Sequence, residues 1–182
     1  MSRVSTKKYH PFHVTLHWLV ALLVVAAFVV GKTMSGLPND ADKLAPLGLH
    51  MSIGIFTLVV IIVRIGTRMK LPKPKPATTG SPLLDWIGRV VHYALYLFVI
   101  LMAVSGTSLA MQAGLVPIVF GGSEMALPAD FYDFAARMLH GFIVPVLLLL
   151  LLLHVGAAFF HQFALKDNLL ARMWYGKHKE ME

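Results

Sequence analysis

The chain has 182 residues, of which 57% are hydrophobic and 14% charged, against about 45–50% apolar and about 25% charged in an ordinary soluble domain. A typical cytosolic enzyme is thereby excluded. The absence of cysteine removes disulfides, thiolate zinc sites, iron–sulfur clusters and thioether haem attachment together. The +7 charge would suggest nucleic acid in a soluble protein but reads here as topology, with no nucleic-acid role expected. The apolar residues fall into runs near the roughly 20-residue length of a membrane helix. In chain order these lie at about 12–31, 47–65, 87–112 and 138–165. The first is too long for a signal-peptide core, and GKTMSGLPNDADK after it offers no small-x-small cleavage site, so it is expected to remain as a span.

Charge orients the spans. Arg3, Lys7 and Lys8 precede the first; Arg64, Arg68, Lys70, Lys73, Lys75 and Arg89 surround the second loop; Lys166, Arg172, Lys177 and Lys179 follow the fourth. Thirteen of the sixteen basic residues thus share one side, and the positive-inside rule puts both termini in the cytoplasm. Lys32, Lys43 and Arg137 are left outside, beside the acids Asp40, Asp42, Glu124, Asp130 and Asp133. LPKPKPATTGSP on the inner side reads as an extended linker. The loop from Gly114 to Asp133 is expected to cover the outer helix ends. With every backbone group needing a partner in hydrocarbon, the expected fold is an all-α, four-helix integral membrane bundle forming one domain over residues 1–182.

Ionisable side chains inside such a bundle default to function, and here they are nearly all histidines, with no Asp or Glu in any span. Spacing converts to depth at about 1.5 Å per residue. His50 and His140 each lie roughly 10 Å from an outer charge, Lys43 and Asp133. His17 and His154 lie roughly 14 and 18 Å from Lys8 and Lys166 on the inner side. His92 and His161, roughly 5 to 8 Å in, form a shallow third level. His140 and His154 are close to four turns apart and share a face, roughly 21 Å along the axis. Two matched deep pairs suit axial ligation of two stacked haems, because neutral imidazoles add no charge to the membrane. Gly54, Gly141 and Gly156 near these histidines could admit a porphyrin. Periodicity alone does not separate a haem pair from a proton relay or a non-haem metal site. The lack of intramembrane carboxylates weighs against an ion-coupled pump, and a histidine-relay transporter would be colourless. Trp18 and Trp86 read as interfacial anchors, His10, His13 and His178 as tail or surface residues, and the methionines as ordinary filling.

TLHW around His17, LGLHMSIGI around His50, MLHG around His140 and HVGAAFFHQFALKDNLLARMW from His154 together resemble the bacterial cytochrome b561 family over nearly the whole chain. The likeness is to its superoxide oxidase branch, which passes electrons from superoxide to ubiquinone. The resemblance implies two haem b groups in a multi-pass protein of the bacterial inner membrane, with His17 and His154 on the inner haem iron and His50 and His140 on the outer. It implies quinone contact at His161. Lys166 of the KDN motif is a candidate for a haem propionate or the quinone, and His92 for packing or a quinone pocket. Superoxide is an anion that benefits from positive steering, yet the outer loops hold more acids than bases, so a cationic entrance would need local clustering. The rival expectation is a membrane cytochrome subunit relaying electrons for a partner dehydrogenase or hydrogenase. The short termini favour a self-contained protein, in which a protein partner is not required.

Overall fold

The computed structural model describes residues 8–175, so Arg3, Lys7, Lys177, Lys179 and His178 lie outside the described residues. Those described are all-helical or irregular. Helix α1 covers Pro11–Met34, α2 Ala41–Lys70, α3 Pro82–Gln112, a short α4 Leu115–Phe120, and α5 Ala135–Phe159. A π turn, Phe160–Leu165, prolongs α5, and a 3-10 turn spans Leu169–Met173. The expected four-span bundle is present: α1, α2, α3 and α5 with its π turn are each long and apolar enough to cross a membrane.

The helices outrun the apolar runs that announce them. Helix α2 starts at Ala41 because Asp40 caps it, accepting the Asp42 N–H at 3.0 Å. Helix α3 starts at Pro82, whose ring presets the first-turn backbone. The Asp85 carboxylate there accepts from Thr78 Oγ1 at 2.6 Å and the Thr79 N–H at 2.7 Å, tying down a connector that has no helix or strand over residues 71–81.

Helix α1 packs along α2 and α3 along α5, and α2 meets α3 to join the two hairpins. Leu16, Val20, Val60, Ile61, Val99, Ile143 and Leu147 form the central core. The outward faces carry Leu22, Val25, Phe142, Leu149 and Leu152, all more than half exposed, a surface that suits acyl chains and not water. Neither α1 nor α2 makes an extended backbone approach to α5. The histidines occupy that gap.

At the outer end Leu47, Ala110, Leu115, Ile118 and Leu127 form a second apolar cluster. The loop after α3 therefore covers the helix ends as expected. Gly114, at φ +59°, makes the left-handed turn from α3 into α4. Asn39 Nδ2 donates to the Pro128 and Ala129 carbonyls, fastening the loop to the start of α2. At the inner end Trp18 does more than anchor: its Nε1–H donates to the Met173 carbonyl at 2.9 Å, and its ring meets Trp174 edge-on. The chain after α5 is thus folded back over the start of α1.

Candidate cofactor-binding histidines

Two imidazole pairs bridge the gap. His17 on α1 and His154 on α5 have ring centroids 6.1 Å apart at 74°. His50 on α2 and His140 on α5 are also 6.1 Å apart, at 78°. All four rings are half-buried. The residues matched by depth are therefore the ones whose rings meet.

The outer pair is held by small neighbours. Ser105 Oγ donates to the Met102 carbonyl at 2.9 Å, so its 3.0 Å contact with His140 Nδ1 uses the imidazole N–H. That leaves His140 Nε2 with its lone pair, the state a metal ligand needs. A Cβ at Gly31 on α1 would lie 3.0 Å from His50 Cε1, and one at Gly106 on α3 would lie 3.2 Å from His140 Cε1. Each outer histidine thus rests against a glycine of the neighbouring helix. Sequence reasoning missed both; of the glycines it selected, Gly54 and Gly156 face open space, Gly141 meets Arg137, and Gly54 and Gly141 line the cavity that reaches His50 and His140.

His92 does not form a shallow pair with His161. Its ring lies 4.9 Å from His154 at 90°, and its Nδ1–H donates to the Gly88 carbonyl at 2.6 Å, leaving Nε2 as the acceptor. Depth measured from Arg89 fails because α3 begins at Pro82 and Arg89 lies within the helix. His161 instead pairs with Asp167, its Nδ1–H donating to Oδ2 at 2.6 Å. The π turn and two left-handed residues, Lys166 and Asn168, both at φ +55°, reverse the chain so that the carboxylate reaches back to it. Lys166 itself is exposed. His13, expected at the surface, is 2% exposed. It sits one turn inward of His17 on the same face of α1, with Nδ1 bound to Thr67 Oγ1 at 2.9 Å, and that spacing was the signal available.

A cavity of about 2000 Å³ opens between the hairpins in the outer half, walled mainly by aliphatic side chains and reaching both His50 and His140. Lys32, Lys43 and Arg137 all line it, whereas of the five outer acids only Asp130 does. Lys43 is buried, its Nζ donating to Asn39 Oδ1 at 2.6 Å.

Four membrane-length helices with imidazoles facing in pairs across their interior define a multi-pass membrane protein with two inward-facing histidine pairs. The chain belongs to the prokaryotic cytochrome b561 family, which it matches over residues 8–176. Its relatives include a protein named probable superoxide oxidase CybB from Yersinia pestis, 29% identical, with 92% of this chain and 96% of that one covered. Cytochrome b562 of Cereibacter sphaeroides is 32% identical over 91% and 94%. Cytochrome b561 homolog 2 of Escherichia coli K12 is 31% identical over 95% of each. The family is one of haem b proteins of membrane electron transfer.

The residues fit haem. Among the described residues no three metal-ligating side chains converge, and two facing neutral imidazoles are the donor set that a b-type haem takes from protein. Two metal–imidazole bonds of about 2 Å each, with the half-widths of two rings, come to the 6.1 Å separation of both pairs.

Proposed function

We propose that the chain holds two b haems, His17 with His154 on the inner and His50 with His140 on the outer, and passes electrons from superoxide to ubiquinone in the bacterial inner membrane. When bound, each haem supplies a one-electron couple. With two imidazoles holding each haem, that couple would be exchanged with donor and acceptor as single electrons, without substrate bound at the metal. Two superoxide anions and one quinone, with two protons from the inner side, give two dioxygen molecules and one quinol.

The observation that carries the superoxide reading is the charge lining the cavity. Lys32, Lys43 and Arg137 line it against a single carboxylate, although acids outnumber bases along the outer loops. A low-dielectric cleft lined by one sign of charge concentrates small anions. The name of the Yersinia relative points the same way. On the inner side, Asp167 accepts the His161 Nδ1–H and directs Nε2 away from the carboxylate, so that Nε2 can take a proton from the cytoplasmic side and pass it to reduced quinone. His92 beside His154, and Lys166 at the chain reversal, are the further candidate contacts.

The test is haem per chain on detergent-purified protein by pyridine haemochrome, followed by reduction with generated superoxide and reoxidation by a quinone analogue. Two b haems reduced rapidly by superoxide are expected. Two haems that ignore superoxide would make the protein a conduit for a partner dehydrogenase or hydrogenase, and no haem would overturn the reading.

A further inference from the structure

The inner half of the bundle contains a charge without a counter-charge. Arg64 and Arg68, one turn apart on α2, place their guanidinium carbons 5.3 and 5.7 Å from the centroid of the same ring, Tyr96 on α3. Arg64 Nε and Tyr96 Oη are both buried with no hydrogen-bond partner. Each is a donor, and together they are two of the five such orphaned side-chain atoms among the described residues. Asp167 is engaged by His161, and Asp85, the acid of α3, is engaged by Thr78 and Thr79. No described carboxylate therefore answers Arg64.

A half-buried arginine whose buried Nε–H has no partner is unfavourable unless an anion joins it, and a planar fork of N–H groups matches a carboxylate. Tyr96, under the Arg64 guanidinium, lies one turn beyond His92 on the same face of α3, and the His92 ring is 4.9 Å from that of His154. An anion seated on Arg64 and Tyr96 would therefore lie on the inner side of the bundle near His154. Thr67, whose hydroxyl donates to the Arg64 carbonyl at 2.8 Å and accepts from His13, stiffens this turn of α2.

We propose that Arg64 and Tyr96 form an anion seat that receives a propionate carboxylate of the inner haem, with Arg68 adding a second positive charge. This rests on the di-haem reading above. The seat neutralises the carboxylate and favours the ferrous state, because a nearby cation stabilises the less positive form of the iron. A phospholipid headgroup of the inner leaflet presents the same anionic oxygens and is the other possible occupant.

The experiment is a spectroelectrochemical redox titration of purified wild type, Arg64→Gln, Tyr96→Phe and the control Arg89→Gln, an exposed arginine of the same helix as Tyr96, with haem per chain and co-purifying phospholipid phosphorus measured on each. In Arg64→Gln one of the two haem potentials is expected to fall, by about a tenfold change in its ferric-to-ferrous ratio, which is about 59 mV for a one-electron couple. Tyr96→Phe shifts the same haem in the same direction by less, and it tests the seat if Arg64→Gln does not accumulate. Arg89→Gln shifts neither. Unchanged potentials in both seat variants overturn the proposal, and loss of bound phosphorus at unchanged potentials assigns the seat to a lipid headgroup and overturns it too. A wild type with fewer than two haems overturns the di-haem reading itself, a result distinct from the others because it is read before any substitution.

Discussion

Gly31 brings α1 against the ring of His50 so closely that a methyl group there would stand 3.0 Å from Cε1. A β-branched side chain at that position has to displace the imidazole or separate α1 from α2. Gly31→Val is expected to lose most of the outer haem and keep the inner one, with Gly106→Ala, at 3.2 Å from His140, giving a partial loss. Full haem content in Gly31→Val, by pyridine haemochrome, would show that His50 does not depend on this contact.

The two ring pairs make separable predictions. His50→Ala or His140→Ala should leave one haem per chain, and so should His17→Ala or His154→Ala, with the surviving spectrum differing between the two sets. His92→Ala, though its ring is only 4.9 Å from His154, should retain both haems. A His92 variant that loses the inner haem, beside a His17 variant that keeps it, would reassign the axial partner of His154.

At the quinone end, His161 and Asp167 are expected to act as a unit. Removing a group that orients a functional imidazole commonly costs about 10–100-fold, so Asp167→Asn should slow quinone reduction by about tenfold, with both haems and their reduction by superoxide intact. His161→Ala should be slower still, and the double variant no slower than His161→Ala. Stopped-flow reoxidation with a quinone analogue reads this, and multiplicative effects would argue that the two residues act independently.

Charge lining the cavity sets a rate. Lys32 is exposed and lines the cavity, so Lys32→Glu should lower the rate of reduction by superoxide by about tenfold at low ionic strength, within the range of electrostatic steering. The deficit should shrink as salt is raised and the Debye length falls toward about 3 Å at 1 M. A deficit that does not change with salt would mean that Lys32 acts by contact and not by its field.

The amino-acid sequence by itself determined the four spans and which histidines share a depth. Run length against bilayer thickness and the fixed helical rise convert residue numbers directly into height along the membrane normal. His50 with His140 and His17 with His154 follow from that one coordinate. Height was misjudged only where its marker lay two turns inside a helix, as Arg89 does for His92. What height does not contain is rotation of each helix about its own axis and the identity of its neighbours, and helices that are apolar nearly all round give little rotational signal. The burial of His13, the resting of His50 on Gly31, the Arg64–Tyr96 contact and the reach of Asp167 back to His161 are all of that kind. So is the charge of the entrance: acids and bases mix along the outer loops, and only the packing of α1, α2 and α5 turns Lys32, Lys43 and Arg137 toward one cavity while four of the five acids stay off it.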